Sequence, residues 1–503
     1  NKLDSTRVTY GTGKVNITNA GIIKYGGSNN SSGVGIYADN NNLLADSTVT
    51  LNSGSNIDMS ASDSGVGVFI DNSILAVNGG TIKAGTTTGI YAIGGSQINA
   101  SSGTIEIGNG GVGAYLLNSQ YNETGAQSAK FVITGDGASL FSIEGSSSFT
   151  LSAGNVDNTT AMVFTPYKFI LGSVGKVAYT HNTLTDIGSL ENVTILGTSG
   201  GVILLDVLSE LKSAGDNTVG VGISGVKDPA VSYIGGAYEI INNGKITLTG
   251  EDSTGIYVKS GAKALNAFTA TNLISVGESS VGMYAEGTDS VVQNYGNIVI
   301  GKNSVGLYSS AAKGILTEAG AINNGSISAQ EITPGVFADN VTGMYISANN
   351  EGYLKGGTIS FSGDGSTGIF NEGNFKMIGG TITLQSLGGA AIYSQGAGSN
   401  TEMVVGMIDV SGGSVALYAD GSTINVSGGV FNIGNEGLLM YNYPSTGTGA
   451  FGQLNISNTP AAIINNGGMA FYVEGQDFSG ISGILNNLVS AGSTGTMFLD
   501  MKN

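Results

Sequence analysis

A short phrase, glycine-aliphatic-aromatic, returns along this chain at a nearly even interval, and that interval constrains the fold more than any other feature. It reads GIY at 35–37, GLY at 306–308 and GIF at 368–370. Aligned aromatics run from Tyr37 and Phe69 through Tyr91, Tyr115, Phe141, Phe164 and Tyr238 to Tyr472 and Phe498, seventeen in all, with most gaps between 22 and 27 residues. The preceding residue is nearly always aliphatic, and glycine stands before that in ten of the seventeen. A unit this short cannot bury an apolar face by itself, so it must stack on its neighbours as a solenoid.

A second element keeps step with the first. Gly80, Gly103, Gly244, Gly296, Gly325, Gly357 and Gly380 each stand two residues before an isoleucine (Ile82 to Ile382), as in GGTIKA, NGKITL and GGTITL. A further apolar residue usually follows two positions on, as at Ile107, Leu248, Ile300, Phe361 and Leu384, which is strand alternation with one buried face. Residues 414–436 add a third strand, since SVALYADG, STINVSGG and VFNIGNE are three short runs punctuated by glycine. No helical period or capping box runs through the repeats, so helix-containing solenoids fit poorly. The expected fold is all-β: a single-stranded right-handed parallel β-helix with about three short strands per coil of ~23–25 residues. One continuous body over 1–503 is expected. Neighbours along a strand face opposite sides, so aliphatics inside place the aromatics outside, sparing tyrosine hydroxyls from burial. Phenylalanine at five of the positions leaves the reverse arrangement open.

Composition agrees with many short strands. Glycine fills 84 of 503 positions, more than twice the usual ~7%, and charged residues are 11%, under half the usual ~25%. The net charge of −18, with Arg7 the only arginine, leaves no basic face for phosphates, so nucleic acid is not expected as a partner. There is no cysteine, and no apolar run approaches the ~20 residues of a membrane helix. NKLDSTRVTY carries no signal-like pattern, so an export signal is expected to lie outside this sequence.

The period is lost between Phe164 and Tyr238, and an irregular excursion or insertion is expected over 165–235. Leu204, Val207, Leu208 and Leu211 fall on one face of a short helix there, and Ile481, Ile484, Leu485 and Leu488 repeat that spacing near the end. A smaller excursion surrounds Pro334. Insertions in a solenoid leave the stack as loops on one face, and such loops often bind. Lys168, Tyr179, His181 and Asp186 are the candidate ligand-binding residues of the larger one. The competing reading makes both regions degenerate coils or caps.

Catalytic constellations are thin. Parallel β-helices often cleave polysaccharides, which takes paired carboxylates or an acidic calcium cluster with a base. Glu251-Asp252 opens a turn, while Asp39, Asp71 and Asp420 each follow a triplet singly, and these acids read as solvated turns. His181 is the only histidine, so a zinc site is not expected, and no phosphate loop or other cofactor motif is present. Asparagine pairs such as Asn242-Asn243 and Asn323-Asn324 are expected to turn the chain or to stack into ladders.

At GVGIYADN, STGIYVKSG, SSVGMYAEG and INNGKITLTG the chain resembles the passenger repeats of the large fusobacterial type V autotransporter adhesins, and the likeness weakens only across about 165–235. The resemblance implies a cell-surface β-helix, anchored in the outer membrane through a translocator barrel outside this sequence or secreted. It implies attachment to host receptors, glycans or other bacterial surfaces. A non-catalytic adhesin rod, acting as a monomer without cofactor, is therefore expected. The alternatives are a polysaccharide hydrolase or lyase, and a passive spacer stalk.

Overall fold

A computed structural model describes residues 16–26, 32–40, 47–123, 238–316, 318–443, 453–457, 461–465, 467–474 and 499–502. Between them it describes the short pieces 130–134, 139–144, 148–150, 156–157, 178–181, 184–186, 191, 194–198, 202–205, 207, 209–223 and 225–226. The chain divides into two compact units, Asn1–Gly250 and Glu251–Asn503. In each unit parallel strands stack coil upon coil as a β-solenoid, and there is no helix among the described residues.

One coil of the second unit shows the plan. Strand Val281–Glu286 carries the triplet, Val291–Asn294 and Asn297–Ile300 follow, and the chain then returns one coil on at Val305–Ser310. Each strand pairs in parallel with its counterpart in the next coil: Tyr284 lies opposite Tyr308, Val292 opposite Ala321, and Ile298 opposite Ile327. The sequence period is thus the coil itself. In the first unit the same three files recur, but Ser73–Gly85 and Gln97–Ile107 each run on through a corner and serve two files at once. Those corners bend at Gly79, Gly80 and Gly103, all with positive φ.

Alternation decides the core. Ile36, Val68, Ile90, Met283, Leu307, Met344 and Ile369 face inward and are buried, and the following aromatics lie on the outer face. Isoleucines 82, 105, 246, 298, 327, 359 and 382 meet them from the third strand. The triplet glycine is explained at this contact. A Cβ on Gly306 would sit 2.6 Å from the Gly343 carbonyl oxygen and 2.7 Å from Cγ2 of Ile327, so the triplet strand approaches the opposite wall too closely for a side chain. The position loosens further on, where Ala391 and Ala416 occupy it.

Two buried polar files complete the interior. Asn266 Nδ2 donates to Asn294 Oδ1 at 2.7 Å, and Asn294 Nδ2 donates to Asn323 Oδ1 at 2.8 Å, forming the expected ladder. The second file is serine. The backbone N–H of Ser253 donates to Ser280 Oγ and that of Ser280 to Ser304 Oγ, both at 2.9 Å. These serines stand four residues before the triplet aromatic.

Several expectations need correction. The helix expected over 202–214 is instead two strands, Val202–Leu205 and Glu210–Ser213, which bury Leu205 and Leu211. Strands Ala178–His181, Leu184–Asp186 and Thr194–Thr198 also pair in parallel one coil on, so the described part of 165–235 continues the stack. Its phase is hidden because Gly222, in VGVG at 219–222, stands where other coils place the aromatic. Phe141 is a buried core residue, since register aligns it with Ala114 and places Ser142 opposite Tyr115. Tyr238 lies outside any strand. Phe164, Phe498 and the segment containing Ile481, Ile484, Leu485 and Leu488 lie outside the described residues.

Candidate functional site

Outward aromatics form continuous files. In the second unit Tyr257, Tyr284, Tyr308, Tyr345, Phe370 and Tyr393 succeed one another with centroids 4.7 to 5.4 Å apart. Spacing follows from the coil repeat, and each contact adds about 0.5–1.5 kcal/mol beyond its buried area. Carboxylates border the file. Tyr257 Oη donates to Glu286, Tyr345 Oη to Glu372 at 2.7 Å and Tyr393 Oη to Asp420 at 3.2 Å, each acceptor belonging to the next coil. Burial and then the adjoining carboxylates raise the hydroxyls of Tyr345 and Tyr393; Tyr393 is pushed up to about 12 by burial and by the charge of Asp420. Burial by itself would raise Glu286, but hydrogen bonds from Lys259, at 2.7 Å, and Tyr257 outweigh it and leave the carboxyl below its usual range.

The coil from Val305 to Ile346 interrupts this regularity at both ends of its outer strand. After Val305–Ser310 the chain makes a loop described at 311–316 and 318–319, and before Thr342–Ile346 it makes an antiparallel hairpin from strands Glu331–Thr333 and Val336–Phe337. Because strands 305–310 and 342–346 are parallel neighbours, the loop and hairpin stand at opposite ends of the aromatic face. Ile315 is 94% exposed, Ile332 60% and Val336 54%, so the protrusions present aliphatic side chains to solvent. The hairpin turns at Pro334-Gly335, where Gly335 has φ 80°, and its base is closed by Ala338 N–H donating to Gln330 O at 2.9 Å.

Asp289, one coil earlier, fastens the loop. Its carboxylate accepts from the backbone N–H groups of Gly314, Ile315 and Leu316 at 2.8, 2.8 and 3.1 Å, and Glu318 pairs with Lys355. The N–H of Ile315 is the strongest influence on Asp289, and with those of Leu316 and Gly314 it lowers the carboxyl below its reference value of 3.8. A carboxylate whose folded pKa is depressed contributes stability above its unfolded pKa and loses it as pH falls through the folded value. We therefore expect the amides of 314–316 to stay protected from hydrogen exchange until the pH drops below 3.8, and to exchange freely at neutral pH in Asp289→Ala.

Of the candidate residues of 165–235, Tyr179 and His181 lie on strand Ala178–His181 and Asp186 ends strand Leu184–Asp186. Lys168 lies outside the described residues. The backbone register sets Tyr179 opposite Ile203, His181 opposite Leu205 and Asp186 opposite Lys212. Glu251 and Asp252 form an exposed turn, with Asp252 at φ 53°.

Two acids read separately in the sequence are brought together. Asp39 and Asp71, 32 residues apart, are register partners in adjacent coils of the first unit. Burial and then the charge of Asp39 raise the Asp71 carboxyl above 3.8. A carboxyl raised on folding gives full stability below its unfolded pKa and loses it as pH rises through the folded value. Asp71→Asn should therefore raise the thermal midpoint at neutral pH, with the gain vanishing in melts below 3.8.

No family model, curated protein or solved structure matches this chain. By its fold the chain is a parallel β-solenoid protein.

Proposed function

We propose that this chain is a surface-exposed adhesin segment, a passenger of the type V autotransporter kind, which attaches a cell to host or bacterial surfaces without catalysis. The carrying observation is the pair of protrusions on the coil Val305–Ile346, which set Ile315, Ile332 and Val336 in solvent at either end of an aromatic strip. Solenoid stability needs only stacking between neighbouring coils, and neither protrusion contributes an inward side chain to that stack from its exposed tip. Exposed aliphatics on anchored loops fit a contact surface for a partner. The repeat resemblance supports the same reading, in which the chain is displayed outside the cell, anchored through a barrel or released. The chain acts as a monomer, and attachment gains strength from many copies displayed together.

The test compares the full chain with Ile315→Asp/Ile332→Asp/Val336→Asp in binding to intact epithelial and bacterial cells and to a broad glycan array. Apolar anchors at interface centres dominate affinity, so the triple variant should bind about tenfold more weakly while its far-ultraviolet spectrum is unchanged. Equal binding by both proteins would remove the protrusions from the function. Failure of the parent chain to bind any surface would favour a spacer stalk, and shortening of an arrayed glycan would favour a hydrolase or lyase.

A further inference from the structure

Tyrosine is the most easily oxidised aromatic side chain in this protein, which contains neither tryptophan nor cysteine. A one-electron oxidant therefore finds tyrosine where most proteins offer an indole or a thiol. The register decides what becomes of the radical that results. It sets tyrosine beside tyrosine in three near-parallel pairs: Tyr91 and Tyr115, with centroids 4.3 Å and planes 13° apart; Tyr308 and Tyr345, at 4.8 Å and 5°; and Tyr418 and Tyr441, at 4.7 Å and 23°. The members of each pair are partners across adjacent coils, and all six are half-buried on the outer face.

Tyr308 and Tyr345 are the best equipped of the three. Tyr345 Oη donates to Glu372 Oε2 at 2.7 Å, so a carboxylate stands ready to take the phenolic proton as the electron leaves. Burial, Tyr284 and then the charge of Glu372 raise the Tyr308 hydroxyl, so the same carboxylate acts on both rings. Tyr257, Tyr284, Tyr308 and Tyr345 follow one another with centroids 5.4, 4.7 and 4.8 Å apart, close enough for an electron hole taken anywhere on the run to migrate along it. Phe370 ends the run, because its ring has no hydroxyl proton to lose. Other neighbours are set differently. Tyr284 with Tyr308, at 78°, and Tyr393 with Tyr418, at 80°, point the edge of one ring at the face of the other, which keeps the carbons beside their hydroxyls from meeting.

We propose that the near-parallel pairs, Tyr308–Tyr345 foremost, are sites of dityrosine cross-linking by a diffusible one-electron oxidant, either an organic radical or a high-valent metal complex. Each ring gives one electron to an oxidant molecule and one proton to a base, Glu372 for Tyr345 and water for Tyr308. The two phenoxyl radicals then join by a carbon–carbon bond between ring positions ortho to the hydroxyls. The hydrogens on those two carbons move to the oxygens and restore both phenols. Two electrons and two protons leave in all, and two oxidant molecules are each reduced by one electron. The link fastens coil to coil in a chain without disulfides and constrains the unfolded state as a disulfide would. Between Tyr308 and Tyr345 it closes the coil that carries both protrusions. Coupling of this kind is independent of what the protrusions bind.

The experiment exposes the dilute full chain to photogenerated tris(bipyridine)ruthenium(III) with persulfate, isolates the monomer band and reads dityrosine fluorescence and cross-linked peptides by mass spectrometry. Peptides joining Tyr308 to Tyr345 should exceed those joining Tyr284 to Tyr308 or Tyr393 to Tyr418 several-fold. Tyr345→Phe places at 345 the ring that the next coil already holds at Phe370, so it should keep the fold and lose this cross-link while Tyr91–Tyr115 still couples. Glu372→Gln keeps an acceptor oxygen but removes the base. It should lower the Tyr308–Tyr345 yield several-fold relative to Tyr91–Tyr115, and added buffer base should restore it. Absence of dityrosine from the monomer overturns the proposal. So does coupling that is equally frequent in the edge-to-face pairs, and a yield unchanged in Glu372→Gln overturns the part given to that carboxylate.

Discussion

Gly306→Val is expected to open the second unit locally, with amides of Val281–Glu286, Val305–Ser310 and Thr342–Ile346 losing about a hundredfold in hydrogen-exchange protection. The new Cβ would fall 2.6 Å from a backbone oxygen in the next coil and 2.7 Å from Ile327, and neither is the free end of a flexible side chain. Overpacking of this kind costs about 1–3 kcal/mol and occasionally more. Gly306→Ala should cost less, because Ala391 and Ala416 show that the same wall can move slightly outward. Since each coil touches only its neighbours, the loss should fade within a few coils. Protection that fell evenly over the whole chain, or not at all, would contradict this account of the glycine file.

The second large effect concerns the asparagine ladder. Asn294 is fully buried, accepts from Asn266 and donates to Asn323, so Asn294→Leu removes an acceptor from Asn266 Nδ2 and leaves Asn323 Oδ1 with only one of these two donors, the Gly325 N–H at 3.3 Å. A buried group that loses its partner costs about 1–3 kcal/mol, and with Asn323 Oδ1 still held by Gly325 the substitution should cost about that much. Asn323→Leu in the same background should add less than it costs alone, because the acceptor that Asn294 had satisfied is then gone too. Exchange of the amides in Val291–Asn294 and Gly320–Asn323 reads both numbers. Simple additivity would show that the side chains are independent caps and not a ladder.

The same neighbour logic explains which parts of the fold were legible in the sequence. The triplet and the Gly-x-Ile strand repeat at the coil period, so every copy restates which residue faces in, and coils such as 281–300 could be drawn from the sequence alone. Reading failed where a copy lost its marker. At 219–222 the aromatic is replaced by Gly222, and Leu204, Leu208 and Leu211 satisfied a helical spacing that two short strands satisfy equally well. Phe141 was misassigned by one position because an aromatic after an aliphatic looks the same whichever of the two faces inward. The serine file recurs at a constant offset, but serine in a turn carries no message of its own until its Oγ is seen to accept from the coil before it.

The candidate surfaces were less legible still. Pro334 marked an excursion, but nothing in its vicinity said that the loop holding Ile315 would stand at the other end of the same face. Likewise Asp39 and Asp71 are solitary acids in the chain and partners across a register.

The sequence by itself determined the class of this protein, because a period of 22 to 27 residues with one inward position per strand leaves only a stacked solenoid able to bury it. Tertiary structure decided what lies on the surface: the paired Asp39 and Asp71 of the first unit, the carboxylate-edged aromatic file and the anchored loop of the second. Those features join residues from separate coils. Their chemistry depends on register, and register is a property of stacked strands that local composition does not encode.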